Sequence, residues 1–164
     1  MTFIDESIFR IEPIVKHGWF LKGTKPSSLV NWSRGKSCVF GALNSENGGK
    51  LISKQAERTN SETFIDFVQS LLESDGIFAL VMDNAPWHTS RKTSGFLEEV
   101  RDCIEPVYLP PYSPELNPVE PCWKVTRGDL ANRLFEDTSE LRGALEKALD
   151  GVQLNINWSR YLTD

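Results

Sequence analysis

The chain has 164 residues, of which 40% are hydrophobic and 25% charged, with a formal net charge of -5. That length suits one compact domain with a proper hydrophobic core, and the balance excludes disorder and fibrous repeats. The acidic surplus argues against broad attraction to phosphate, so any role on nucleic acid requires a local basic surface.

Apolar runs end after about six residues, far short of the roughly 20 that cross a bilayer, and the N-terminus lacks a basic segment followed by an apolar one. No membrane partner is expected. Cys38, Cys103 and Cys122 are odd in number and widely spaced, which suits neither a disulfide framework nor structural zinc and fits a reducing cytoplasm.

In chain order, Thr2 to Phe9 reads as a strand with Phe3, Asp5, Ser7 and Phe9 on one face and Ile4, Glu6 and Ile8 on the other. A loop containing "GWFLKGTKPSS" follows. Ser37 to Leu43 forms an apolar strand that turns back through Asn47-Gly48, a dipeptide suited to positive backbone angles, into a strand over Lys50 to Ala56. Thr59 and Glu62 have capping-box spacing, and Phe64, Phe67, Val68, Leu71 and Leu72 follow at helical intervals up to Asp75-Gly76. "IFALVM", Ile77 to Met82, is a continuous apolar run, as in a central strand covered on both faces. A second helix over Ser90 to Val100 leads to a strand in "CIEPVYL". A third helix runs from Pro118 to about Arg133. Asp137 and Glu140 cap a fourth, whose Leu141, Ala144, Leu145, Ala148, Leu149 and Val152 make one stripe.

Three antiparallel strands followed by alternating helix and strand predict a single α/β domain over residues 1–164: a mixed five-stranded sheet with helices on both faces, the order of a ribonuclease H-like fold.

Three carboxylates draw notice on chemical grounds. Asp83 follows the buried strand, where open α/β sheets gather reactive groups, although "DNAP" also suits a turn in which Asp83 and Asn84 bond local backbone. Asp5 lies between two phenylalanines on a strand face, a costly place for an ionised acid without a cation or donors; Glu6, on the opposite face, is the alternative. Glu120 follows the stiff "LPPYSPELNPV". It suits the third position of a helix capped by Asn117 with Pro118 first, yet a cap needs only "NPVE", and the extra prolines suggest positioning. Should the three converge, their repulsion raises their proton affinity and a hard divalent cation, Mg²⁺ or Mn²⁺, reverses that tendency. With only His17 and His88 in the chain, a histidine-rich zinc site is not expected.

"VMDNAPWHTS" followed by "LPPYSPELNPVEPCW" closely resembles the catalytic core of DDE transposases of the Tc/mariner superfamily, especially insertion-sequence members from bacteria and archaea. Thirty-six residues separate Asp83 from Glu120, and "IDE" with "GWFLKGTKP" resembles the first catalytic strand and its loop. The resemblance implies a ribonuclease H-like fold in which Asp5, Asp83 and Glu120 hold two Mg²⁺ ions. It also implies a homodimer in a prokaryotic cytoplasm acting on transposon ends and target DNA, usually at TA dinucleotides. His88 matches the family's histidine after "DNA" and either steadies the metal site or contacts DNA; Asn84 and Asn117 are further supporting candidates. Lys124 and Arg127 are candidates for DNA phosphate, with Arg127 where relatives often carry lysine, and Arg91 and Lys92 are weaker ones. Trp123 is expected to pack the third helix into the core. Relatives usually carry helix-turn-helix segments before the first catalytic strand, which here begins almost at Met1, so such segments are expected to be absent or supplied separately. Two other readings remain: a nuclease or resolvase of the same fold that only hydrolyses, and a noncatalytic remnant used as an interaction module.

Overall fold

The computed structural model describes residues 1–24, 34–76 and 78–162. Part of the expected loop after the first strand, and Ile77 at the expected start of the fourth, lie outside these residues. The elements follow in the expected order: β1 (Thr2–Arg10), β2 (Lys36–Asn44), β3 (Ile52–Ala56), α1 (Ser61–Asp75), β4 (Phe78–Met82), α2 (Arg91–Glu99), β5 (Ile104–Tyr108), α3 (Glu120–Asp129) and α4 (Thr138–Asp150).

In space the strands run β3-β2-β1-β4-β5. The first three form an antiparallel meander, whereas β4 lies parallel to β1 and β5 parallel to β4. Parallel neighbours need crossover connections, which α1 and α2 supply. This places β1 at the centre, paired on both edges, so the side chains on its two faces enter two different cores. Phe3, Phe9, Val39, Leu43 and Val81 pack with Trp123 of α3 and Leu141, Leu145 and Leu149 of α4. Ile4, Phe40, Ala42, Leu80 and Met82 pack with Phe64, Phe67, Val68 and Leu71 of α1 and Phe96 and Leu97 of α2. The period-two alternation read in Thr2 to Phe9 is therefore a division between helical layers.

Several boundaries differ from expectation for local reasons. At α1 the reciprocal cap joins Asn60 and Thr63, not Thr59 and Glu62: Thr63 N donates to Asn60 Oδ1 at 2.9 Å, and Asn60 N donates to Thr63 Oγ1 at 3.1 Å. Lys50 is not part of β3. It bridges Gln153, and Leu51 N donates to the Val152 carbonyl at 3.1 Å, so the chain after α4 captures this stretch. Gly49, at φ 75°, permits the approach, because a Cβ there would collide with the Leu154 carbonyl. The third helix is shorter at both ends than expected. It begins at Glu120, after a turn of 3-10 helix over Pro114–Leu116. Beyond its end, Asn132 at φ 59° ties back to the segment after β1, donating from N to the Ile14 carbonyl and accepting from Lys16 N. At α4 Asp137 caps as read, with Glu140 N donating to Asp137 Oδ1 at 2.8 Å, while the Glu140 carboxylate accepts from Glu136 N at 2.7 Å.

Candidate active site

The register of the central parallel pair brings two acids together. Phe3 of β1 stands opposite Val81 of β4, so two residues further along both strands Asp5 and Asp83 reach the same level and side of the sheet. Helix α3 covers that side and starts with Glu120. Asp5, Asp83 and Glu120 line one cleft of about 380 Å³, together with Asn84, Asn117 and Tyr112. A larger hollow of about 910 Å³ lies between β3 and α4, lined by Lys50, Glu57, Arg142 and Glu146. There Arg142 pairs with Glu57 at 3.9 Å and, among the described residues, no convergent set of acids faces the hollow from separate strands, so chemistry, not size, selects the first cleft.

Asp5 is the acid most altered by its surroundings. Burial raises its pKa, a hydrogen bond from the Trp123 indole opposes the rise, and the negative charges of Glu120 and Glu6 add to it, leaving the carboxyl at about 7. Trp123 Nε1 donates to Asp5 Oδ2 at 2.7 Å. The indole reaches it across Gly41, the β2 residue opposite Asp5, where a Cβ would strike the ring. Asp5 has no ion-pair partner among the described residues.

Asp83 is more exposed, and the hydrogen bond from His88 holds its pKa below the usual carboxylate value. His88 Nδ1 lies 2.8 Å from Asp83 Oδ1, and Ala85 N donates to the same oxygen at 2.9 Å. The other ring nitrogen, Nε2, lies 2.9 Å from Glu6 Oε1. The ring is fully buried. Burial alone lowers its pKa, but the hydrogen bonds and charges of Asp83 and Glu6 prevail and lift it to about 9. The buried His88 ring is thus clamped between two carboxylates that favour its protonated form. Glu6 points to the opposite face and secures the residue that secures Asp83.

Asn117 does not cap α3 as expected. Its Nδ2 donates to the Ile4 carbonyl at 3.0 Å, and its Oδ1 accepts from Val119 N at 3.1 Å, so it fastens the start of α3 to the strand residue before Asp5. Asn84 Nδ2 donates to the Leu109 carbonyl at 2.6 Å and ties the Asp83 turn to the end of β5. Among the basic candidates, Lys124 and Arg127 border a hollow that shares Glu120 with the cleft. Arg127 Nη2 donates to Ser7 Oγ at 2.6 Å and its guanidinium lies 5.3 Å from the centre of the Phe9 ring. Arg160 and Tyr161 complete this hollow; no motif in the sequence pointed to them. Arg91 and Lys92 sit on α2, away from both hollows, and Lys92 pairs with Glu62 at 2.8 Å across an exposed surface.

Among the described residues, no three Asp, Glu, His or Cys side chains stand together as a ready-made metal cage. Asp5 and Asp83 are instead held by protein donors. The donor set nevertheless fits a hard divalent cation: Asp5, Asp83 and Glu120 line one cleft with no Lys or Arg among the described residues of its wall, and Asp5 is raised to about 7 first by burial and then by the charges of Glu120 and Glu6, a rise that a bound cation reverses.

The β3-β2-β1-β4-β5 sheet with helices on both faces is a ribonuclease H-like sheet, and an acid of β1, one after β4 and one opening α3 line a single cleft on it. The model of the DDE superfamily endonuclease family matches residues 1–142, and the chain belongs to that family. It is 44% identical over 69 residues to the uncharacterized protein y4pE/y4sA of Sinorhizobium fredii, covering 41% of this chain and 47% of that protein. It is 26% identical over 150 residues to the 39 kDa protein of insertion element IS630 from Shigella sonnei, covering 87% and 43%. The chain thus spans a little under half the length of these curated relatives. Among solved structures, the Mos1 transposase paired-end complex with the left transposon end superposes with a TM-score of 0.69 at 18% identity, covering 94% of this chain and 48% of that one. Mos1 paired-end complexes with Mn and with Mg give 0.66 and 0.68 at 20% and 18% identity, covering 94% and 90% of this chain and 49% and 47% of theirs. The ribonuclease H-like fold and the likeness to Tc/mariner-type DDE transposases read from the two motifs are borne out. No helix among the described residues is long and apolar enough to cross a membrane.

Proposed function

We propose that this chain is the catalytic core of a transposase that cuts DNA at the ends of a mobile element and joins the freed 3′ end to target DNA. The observation that carries the reading is that Asp5, Asp83 and Glu120, distant in sequence, line one cleft while Asp5 is held near neutrality by burial and by Glu120. In this reading the three acids bind Mg²⁺ or Mn²⁺, two ions in all; when bound, these supply Lewis acidity that activates an oxygen nucleophile and offsets charge on the leaving oxygen.

The chain's own residues prepare that chemistry. His88 and Ala85 N hold Asp83 in one orientation, with Glu6 anchoring the imidazolium behind it. Trp123 does the same for Asp5. Asn117 fixes the start of α3, and hence Glu120, against β1. Outer partners of this kind commonly alter metal affinity or activity about 10–100-fold when removed. Lys124 and Arg160, beside Glu120, offer positive charge to a phosphate entering from the α3 side, while Arg127 is braced by Ser7 and Phe9. As the resemblance of its motifs implies, the reading takes a homodimer as the working unit, with end recognition by a DNA-binding segment other than this core and insertion at TA dinucleotides.

The test is incubation of the protein with DNA carrying the element's own ends and Mn²⁺, comparing wild type with Asp83→Asn and Glu120→Gln. Cleavage and joining by wild type alone support the proposal; cleavage without joining supports a nuclease; equal activity in all three refutes the site.

A further inference from the structure

Tyr112 combines two features that oppose folding stability. Its backbone sits at φ 58°, the left-handed region that bulky L-residues avoid, and its side chain is 101% exposed. Asn132 is the other non-glycine residue with positive φ among the described residues; asparagine tolerates that region, and its side chain accepts a hydrogen bond from Lys16 N. Tyr112 has no such explanation. Among the described residues its ring has neither a hydrogen bond nor an aromatic partner. Its neighbours hold the strain in place. Pro110 and Pro111 precede it, Pro114 follows two residues later, and Ser113 Oγ donates back to the Pro111 carbonyl at 3.4 Å, closing the turn on its far side. The turn forms one wall of the cleft that holds Asp5, Asp83 and Glu120.

A strained backbone that presents a bare aromatic ring beside a carboxylate cleft calls for a ligand with a flat apolar face. Among the described residues, basic side chains border only the neighbouring hollow on the α3 side, and none lines the cleft on the wall formed by this turn, so a handle on DNA there works through an apolar face. Stacking meets that requirement, because every nucleobase has a π-face and the interaction tolerates any sequence. We propose that Tyr112 is a base-stacking platform that takes the face of a nucleobase flanking the scissile phosphate and so fixes the strand's position over the acids. This inference rests on, and deepens, the reading of the chain as a DNA-cleaving core.

The experiment pairs protein and substrate changes. DNA carrying the element's own end is prepared intact and with a single abasic site at each position flanking the cut, and cleavage with Mn²⁺ is measured for wild type, Tyr112→Ala, Tyr112→Phe, Tyr112→Trp and Tyr112→Gly. Tyr112→Ala is expected to slow cleavage of intact DNA about tenfold, the size of one base–aromatic stack, with Phe and Trp near wild type. At one flanking position the abasic site should cost wild type the same factor and cost Tyr112→Ala nothing further, since the two changes remove one interaction. Tyr112→Gly should raise the melting temperature by relieving the backbone, yet cleave as poorly as Tyr112→Ala; a purely structural residue would not move these two readouts in opposite directions. Independent, additive losses at every flanking position, or full activity in Tyr112→Ala, overturn the stacking role and leave the cleavage reading intact. Absence of cleavage by wild type and all variants overturns both.

Discussion

Trp123 donates its indole N–H to Asp5 from the same helix face that carries Glu120 one turn earlier, so α3 delivers both a charged neighbour of Asp5 and the neutral donor that restrains it. Glu120 raises the Asp5 pKa and Trp123 lowers it. Removing the donor therefore has a directional consequence. Trp123→Phe should push the Asp5 carboxyl above about 7 and weaken Mn²⁺ binding at neutral pH by roughly tenfold, the lower range for a lost supporting contact. Calorimetric titration across pH measures it. An unchanged affinity at every pH would remove Trp123 from the site.

Asp5→Asn, Asp83→Asn and Glu120→Gln should each lower metal-dependent cleavage by about 10³-fold or more while leaving the fold intact, since polarisation by a bound cation is worth several kcal/mol. Circular dichroism checks the fold and strand cleavage the activity. Loss from only one of the three would point to a different set of ligands.

His88 and Glu6 form a buried ion pair whose second carboxylate partner is Asp83. His88→Ala strands Glu6 in the α1/α2 layer without a counter-charge, and should destabilise the protein by about 3–5 kcal/mol. Glu6→Gln retains an acceptor and should cost less, while loosening Asp83 enough to reduce Mn²⁺ affinity. Urea unfolding of both single variants and the double variant apportions the coupling. Strict additivity would mean that the two residues act separately.

Stability without metal should fall as the solution becomes alkaline. Asp5, raised from 3.8 to about 7, contributes stability that is complete below its unfolded value and lost as pH rises through about 7. His88, raised from 6.5 to about 9, behaves likewise and loses its contribution through about 9. Asp83, lowered by His88, acts in the opposite sense and loses its contribution in acid. Melting temperatures measured from about pH 4 to about pH 9.5 should therefore decline, and Asp5→Asn should lack the part that falls between about 4 and about 7. Added Mn²⁺ should stabilise more at alkaline pH, because it binds the ionised carboxylate. An identical decline in Asp5→Asn would contradict the assignment.

Lys124→Ala should weaken DNA binding uniformly across sequences and reduce the salt slope by about 1. Arg127→Lys should keep the charge but lose the guanidinium's seat on Phe9 and its bond to Ser7, so it should cost stability as well as binding. Fluorescence anisotropy over a salt series separates these effects. An unaltered slope for Lys124→Ala would place the phosphate path elsewhere.

Much of the fold is legible in the chain because its signals are local. The alternation in Thr2 to Phe9, the apolar run before Asp83 and the stripe of α4 each follow from side-chain periodicity within a few turns or residues, and these elements are present with ends shifted by a few residues. The exceptions involve nonlocal contacts: Asn117, which ties to the Ile4 carbonyl, lies before the observed start of α3, and Lys50, which bridges Gln153, lies outside β3. Arg160 and Tyr161 carried no motif at all, and reach the site only because the chain after α4 returns beside α3.

By itself the sequence determined the order of elements, the three acids and the family to which their motifs belong, since these reside in spacing and residue type. Only the tertiary structure decided what each acid meets. Glu6 and Asp5 are adjacent in the chain yet face opposite layers, one toward His88 and one toward Trp123. Electrostatics depends on distance and burial through space, and neighbours such as Gly41 and His88 come from strands and loops that no linear spacing relates to Asp5.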